Sequence, residues 1–140
     1  MLNSAEVLGS GCQVIAFGLD ATHQVRATDG RIAALEAVAT GPAEATASML
    51  RFSQKVEREI VGWDAPPVHD PCTVAWLLAP ELFKLAPCHI AVETASDLTR
   101  GHTAVEFRVE AASARHRWAT QADGAGVFAL ITERLGGQGR

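Results

Sequence analysis

The sequence predicts an α/β fold, in which helices pack against a layered sheet. A short apolar run at residues 13–18 has the length and composition of a buried strand. Residues 43–61 repeat their apolar side chains with helical spacing, and two strand-like segments, 89–94 and 103–108, precede a helical C-terminal segment. At 140 residues the chain fits one domain, 1–140, with one core.

The first half of the chain predicts one strand and two helices. We expect residues 13–18 to be a buried strand of a mostly parallel sheet. Residues 31–38 have apolar side chains at 32, 35 and 38, which predicts a helix that ends before Gly41. Residues 43–61 contain good helix formers, and Gly62 ends this longest helix. Its apolar stripe consists of Met49, Phe52, Val56 and Ile60.

The second half predicts short helices, a hairpin and a final helix. Residues 72–78 should form a short buried helix, and residues 80–83 a further helical turn. Turn residues around Gly101 join the two strands of the hairpin. The remaining predictions are a strand at 115–120, a helix at 123–135 capped by Asp123, and a frayed tail at 136–140.

Composition limits the classes of function. Apolar residues make up 48% of the chain and charged residues 20%, which is typical of a globular protein. The net charge of −4 gives no electrostatic reason to expect nucleic-acid binding. We predict a cytoplasmic protein without a membrane span, because no apolar run approaches about 20 residues and the N-terminus lacks a basic start. Of the three widely spaced cysteines, Cys72 and Cys88 are predicted core residues.

A histidine and an aspartate, His69 and Asp70, stand side by side in a proline-rich loop. Prolines at 66, 67 and 71 stiffen the backbone around the pair. Histidine exchanges a proton near neutral pH and a carboxylate binds hard cations, so the pair can combine a proton donor with a metal ligand. The structural alternatives are a loop histidine packed between prolines and an aspartate that caps the following helix, with Pro71 at its first position.

Three sequence blocks resemble the inosine/uridine-preferring nucleoside hydrolases. PPVHDPCTVAWLLAPELF, at 66–83, resembles the C-terminal active-site segment of that family, most closely of its pyrimidine-preferring branch. GLDATHQ, at 18–24, is similar to a strand-end motif of the family. VET at 92–94 and TRGHTAVE at 99–106 are similar to its hairpin, with Glu106 where aspartate is usual. The blocks follow one another in the family order.

The resemblance implies calcium-assisted hydrolysis of the N-glycosidic bond of ribonucleosides, such as uridine, cytidine or inosine, to base and ribose. It implies that His69 is the catalytic acid and Asp70 a calcium ligand. The helix at 43–61 would cover the nucleobase, with Phe52, Gln54, Lys55, Arg58 and Trp63 as candidate substrate contacts. For the helix at 43–61 we favour the alternative that it is solvated and that Phe52 lies in the core. For GLDATHQ we favour a structural role, in which Asp20 and Thr22 hydrogen-bond the turn and His23 packs.

The resemblance covers the C-terminal half of the family's domain. The aspartate-rich DxDxGxDD signature of the family is absent, and Asn3 is the only asparagine. We therefore expect a partial Rossmann-like layered sheet without the N-terminal strands, and an incomplete calcium ligand set. The first hypothesis is a truncated or split nucleoside hydrolase, with a separate N-terminal half as its partner. The second is a non-catalytic remnant that binds a nucleoside or another protein, and that self-associates through its exposed sheet edge.

Overall fold

The chain forms a four-stranded sheet with helices packed against it. The structure is a computed structural model that describes residues 4–137. The predicted fraying of the tail therefore concerns residues that lie largely outside the described part. The elements in chain order are α1 (Ser4–Gly9), β1 (Val14–Phe17), α2 (Leu19–Thr22), α3 (Asp29–Glu36), α4 (Gly41–Val61), α5 (Asp70–Leu78), a 3-10 turn (Pro80–Leu82), β2 (Phe83–Val92), β3 (Thr103–Glu106), β4 (His116–Ala122) and α6 (Gly124–Gly136).

The strands are arranged in the order β1-β4-β2-β3. β1 runs parallel to β4, and β2 is antiparallel to both β4 and β3. The predicted hairpin is confirmed, with His89 opposite Glu106 and Val92 opposite Thr103. The expectation of a mostly parallel sheet is wrong for the described residues, because only one of the three strand pairings is parallel. β1 is half-buried, since it is an edge strand of this sheet.

The core lies between the sheet and helices α3 to α6. Phe17 and Phe83 meet edge to face across it, with ring centroids 5.4 Å apart. Cys72 and Cys88 are buried, as predicted, and burial raises the pKa of both thiols, that of Cys72 to about 11. Both are thus neutral thiols at physiological pH. No helix among residues 4–137 is long and apolar enough to cross a membrane.

The predicted helices α4 and α6 form, and their ends follow the capping rules. The Thr40 side chain accepts a hydrogen bond from Ala43 N at the start of α4, and Gly62 ends the helix with φ at +76°. Asp123 caps α6 by accepting from Ala125 N and Gly126 N, both at 3.0 Å. These local bonds satisfy backbone groups that a helix end leaves unpaired.

Three of the four side chains in the apolar stripe of α4 are exposed to solvent, and Val56 is half-buried. Phe52 is 70% exposed and Met49 and Ile60 are similarly open, whereas the helix buries Ala43, Ala47 and Gln54. The prediction that Phe52 lies in the core is therefore wrong. The prediction of a buried α5 is also wrong in part, because this helix buries Cys72 and Ala75 but exposes Val74, Leu77 and Leu78.

Candidate functional site

His69 lies at the end of the proline-rich loop, immediately before the first residue of α5. A short antiparallel bridge fixes this loop to the segment that follows α2. Ala27 N donates to Pro66 O at 2.8 Å, and Val68 N donates to Val25 O at 2.9 Å. Val25 and Val68 are both buried, so the bridge is part of the core. This arrangement holds His69 in place while its side chain remains exposed.

Thr22 contacts the His69 ring directly. Its Oγ1 lies 2.8 Å from His69 Nδ1, within hydrogen-bond distance, and the threonine side chain is 2% exposed. Thr22 ends α2, the short helix that follows β1, and its backbone N–H donates to Gly18 O at 3.1 Å. The prediction that the Thr22 side chain bonds its own turn is wrong. The GLDATHQ motif and the proline-rich loop instead meet in one site.

Two aromatic side chains, His23 and Trp63, and the cation of Arg26 lie near this contact. The rings of His23 and His69 have centroids 5.8 Å apart, and the rings of His23 and Trp63 are nearly perpendicular with centroids 5.3 Å apart. The Arg26 guanidinium lies 4.8 Å from the centre of the Trp63 ring and donates to His23 O and Ala65 O. The predicted packing of His23 is confirmed. Trp63 remains half-buried beside the site.

Asp70 is exposed on the first turn of α5. The helix-capping position is His69 rather than Asp70, and only the backbone carbonyl of Asp70 is bonded, by Thr73 Oγ1 at 2.8 Å. The capping alternative for Asp70 is therefore wrong. Within residues 4–137 the Asp70 carboxylate has neither a hydrogen bond nor an ion pair.

The described residues do not form a complete calcium site around Asp70. Calcium takes about six to eight oxygen ligands. No group of three or more His, Cys, Asp or Glu side chains is arranged for a metal in the described part of the chain. Asp20 is used elsewhere, because both of its carboxylate oxygens accept from Trp118 Nε1, at 3.1 and 3.0 Å. Asp70 can supply one ligand only.

Two of the five candidate substrate contacts are already engaged in structural bonds. Gln54 is buried and donates to Asp64 O at 2.7 Å and to Asp29 at 3.1 Å. Arg58 forms an ion pair with the Asp64 carboxylate at 2.8 Å. Both side chains thus fasten α4 to the loop that carries Trp63. Phe52, Lys55 and Trp63 are the candidates that keep a free surface.

Arg51 links α4 to α3, and the sequence patterns did not single it out. Its guanidinium contacts Asp29 at 2.6 Å and Glu36 at 3.0 Å, which joins α4 to α3. The hydrogen bond from Gln54, followed by that from Arg51, lowers the pKa of Asp29. The hydrogen bond from Arg51 also lowers the pKa of Glu36.

In the third motif, the hairpin segments 92–94 and 99–106, the carboxylates of Glu93 and Glu106 accept hydrogen bonds from residues close in sequence. Glu93 accepts from Ala95 N at 2.6 Å and from Ser96 N at 3.1 Å, and these bonds lower its pKa. Glu106 forms a two-point contact with the Arg108 side chain and also accepts from its backbone N–H, which lowers the pKa of Glu106 to about 2. The acid that replaces the family's usual aspartate is thus held by its neighbour.

A separate open groove of about 470 Å³ lies between α5 and α6. Its lining includes Asp70 but is mostly aliphatic, with Val74, Leu78, Leu130 and Ile131. A ribose needs several polar partners, so this groove does not have the chemistry of a nucleoside site. The polar groups that suit a nucleoside lie instead around His69.

Solved structures with the same fold are nucleoside hydrolases. The purine-preferring ribonucleoside hydrolase from Gardnerella vaginalis superposes with a TM-score of 0.80 at 23% identity, over 96% of this chain and 43% of that one. The plant nucleoside hydrolase PpNRh1 gives 0.80 at 21% identity, over 96% of this chain and 44% of that one. At this level of identity the likeness defines the fold alone. The chain has the fold of the part of these nucleoside hydrolases that it covers.

Sequence comparison identifies the family. Residues 4–129 match the model of the inosine-uridine preferring nucleoside hydrolases, and the chain belongs to that family. The pyrimidine-specific ribonucleoside hydrolase RihA of Shewanella baltica is 41% identical over 101 residues, which are 71% of this chain and 32% of the relative. An uncharacterized protein of Schizosaccharomyces pombe is 34% identical over 131 residues, which are 93% of this chain and 42% of that protein. The chain thus spans about a third to two fifths of these relatives.

Proposed function

We propose that this chain provides the proton-donating part of a nucleoside hydrolase site, which cleaves the N-glycosidic bond of a ribonucleoside to base and ribose. The observation that carries the proposal is the Thr22–His69 contact. It joins two of the three family motifs and leaves the Nε2 side of His69 without a hydrogen-bond partner in the described part of the chain.

The chemistry follows from the exposed imidazole. Departure of the base puts negative charge on it, and a proton from His69 neutralises that charge as the bond to the sugar breaks. His23 and Trp63 place aromatic rings near His69, and such rings are the usual stacking partners of a flat base. Uridine and cytidine are the proposed first substrates, because the Shewanella relatives are named pyrimidine-specific.

We also propose that Asp70 is one ligand of a calcium site and that residues beyond those described, in the same polypeptide or in a second chain, complete it. Support comes from the free Asp70 carboxylate next to His69 and from the share of the relatives that the chain spans. The cytoplasmic location stays a prediction.

The test combines this chain with the part of the Shewanella baltica hydrolase that it does not match, and measures ribose release from uridine, cytidine and inosine with and without calcium. His69→Ala should reduce the rate at least about 100-fold, as expected on loss of a general acid. His102→Ala is the matched control, since this histidine lies at the hairpin and its backbone alone is bonded there. Equal rates for the two variants would refute the role of His69.

A second candidate function is a non-catalytic interaction module. The observation that favours it is the exposure of large apolar side chains on α4 and on α5: Phe52, Ile60 and Leu77 are each at least 70% exposed. Large exposed apolar side chains in groups mark interaction surfaces. A folded chain that binds uridine, or a second copy of itself, but releases no ribose in the combined assay would support this candidate.

A further inference from the structure

We propose that Thr22 is the positioning residue of His69, and that its hydroxyl group fixes the ring proton of the neutral imidazole on Nε2. The catalytic meaning of this inference rests on the proposed function. The contact that carries it, between Thr22 Oγ1 and His69 Nδ1 at 2.8 Å, is independent of any activity.

The hydroxyl group of Thr22 has one partner. Its side chain is 2% exposed, and within residues 4–137 Oγ1 bonds only to His69 Nδ1. A buried hydroxyl proton without an acceptor is costly. The hydroxyl therefore donates to Nδ1 while His69 is neutral, and this leaves the ring proton on Nε2.

The same contact serves the charged form of His69. When the imidazole takes up a second proton, Nδ1–H becomes a donor and the hydroxyl group accepts from it through rotation about its C–O bond. In both charge states Nε2 carries a hydrogen on the open side of the ring. His69 thus presents an N–H donor to an acceptor atom of the leaving base before and after protonation.

Backbone hydrogen bonds hold the two segments that carry the pair, so the contact is built into the fold. Thr22 is held by the backbone bond to Gly18 O, and His69 follows Val68, whose N–H bonds to Val25 O. His23, the other neighbour of His69, makes a ring contact at 5.8 Å rather than a hydrogen bond. Thr22 alone among the described residues can select the tautomer.

The test is the nitrogen-15 spectrum of the imidazole rings at alkaline pH, for the full chain and for Thr22→Val and Thr22→Ser. Valine keeps the shape of threonine without the hydroxyl group, and serine keeps the hydroxyl group. His116 is an internal control for folding, because its Nδ1 accepts from Ile90 N at 3.0 Å and its Nε2 lies 3.3 Å from Leu8 O, away from Thr22.

We expect a single Nε2–H tautomer of His69 in the native chain and in Thr22→Ser. In Thr22→Val the Nδ1 and Nε2 shifts should move towards each other, as both tautomers become populated, while the His116 shifts stay the same. Unchanged His69 shifts in Thr22→Val would overturn the inference, and so would a mixed tautomer in the native chain. If Thr22→Val loses the His116 signature, the native chain and Thr22→Ser decide: a single Nε2–H tautomer in both supports the inference, and a mixture in either overturns it.

Ribose release in the combined assay separates this inference from the proposed function. Loss of rate in Thr22→Val with recovery in Thr22→Ser would support both. If no form releases ribose, the proposed function fails, whereas the tautomer of His69 is still decided by the spectrum.

Discussion

At the scale of single residues, the site depends on close packing behind it. Gly18 starts the turn that carries Thr22, and its carbonyl accepts from Ala21 N and Thr22 N. A Cβ atom at Gly18 would fall on the Trp118 ring and on the Asp20 carboxylate, which are themselves hydrogen-bonded. The glycine is needed for this approach rather than for an unusual backbone angle.

Gly18→Ala should therefore destabilise the chain by about 1–3 kcal/mol, the usual cost of overpacking. Gly30→Ala is the matched control, because it lies in the first turn of α3 with nothing within 4 Å of the added Cβ. We expect that control to stabilise by about 0.4–1 kcal/mol through the unfolded state. Urea unfolding measures both, and equal stability of the two variants would contradict the packing described around Gly18.

The Glu106–Arg108 contact gives a prediction about pH. Since the Arg108 side chain and backbone lower the Glu106 pKa to about 2, the ion pair is intact at neutral pH and is lost as pH falls towards 2. Its contribution to hairpin stability is present above the unfolded-state pKa and disappears through the folded-state value. Carboxyl carbon-13 titration should show the Glu106 midpoint near 2 in the native chain. In Arg108→Ala the midpoint should rise but stay below its ordinary value, because the backbone N–H of residue 108 still donates to Glu106.

Glu93 is the internal control for that titration. Its pKa is lowered by backbone N–H groups of Ala95 and Ser96 rather than by Arg108, so it should stay low in Arg108→Ala. A Glu106 midpoint that does not rise in the variant would show that Arg108 is not the cause.

At the scale of elements, the sequence predicts helices α3 to α6, but not the short helices α1 and α2 and not which face of a helix is buried. Gly62 is a local signal that predicts the end of α4, and the helix ends at Val61. Its start at Gly41, which follows the Thr40 cap, lies two residues before the predicted start at residue 43. The stripe of Met49, Phe52 and Ile60 indicated an amphipathic helix, yet this stripe is exposed and Gln54 is buried. Spacing shows that one face is apolar; what that face meets depends on tertiary contacts that spacing does not contain.

Phe52→Ala should change the free energy of unfolding by no more than about 0.5 kcal/mol, because the side chain is 70% exposed. Phe128→Ala, at 3% exposure, should cost about 3–5 kcal/mol. Chemical denaturation of the two variants measures the contrast. Similar losses for both would place Phe52 in a core.

In the site, too, features that are local in the sequence could be predicted and contacts between distant residues could not. The adjacent residues His69 and Asp70 stand out in the sequence because the prolines and the motif lie beside them, and their catalytic and metal-binding roles stay predictions. The contact of Thr22 with His69 joins residues 47 positions apart. The sequence predicts that the Thr22 side chain bonds its own turn, because local spacing does not show which distant loop lies beside the end of the strand. Arg51 was missed for the same reason.

At the scale of the whole molecule, the exposed apolar residues of α4 and α5 and the edge strand β1 favour association. We expect sedimentation velocity to show a species larger than the monomer that grows with protein concentration. A double variant, Phe52→Ser with Leu77→Ser, should weaken it, whereas Lys55→Ser, an exposed polar position on the same helix, should not. A monomer at every concentration would contradict this expectation.

We propose that this family member provides the His69 part of a site that further residues complete. The most direct measurement is calcium-dependent ribose release from uridine by the chain alone, by the unmatched part of the Shewanella baltica hydrolase alone, and by the two together. We predict release only from the combination, and loss of that release in His69→Ala. Release by the chain alone, or none from a combination that forms a complex, would contradict it.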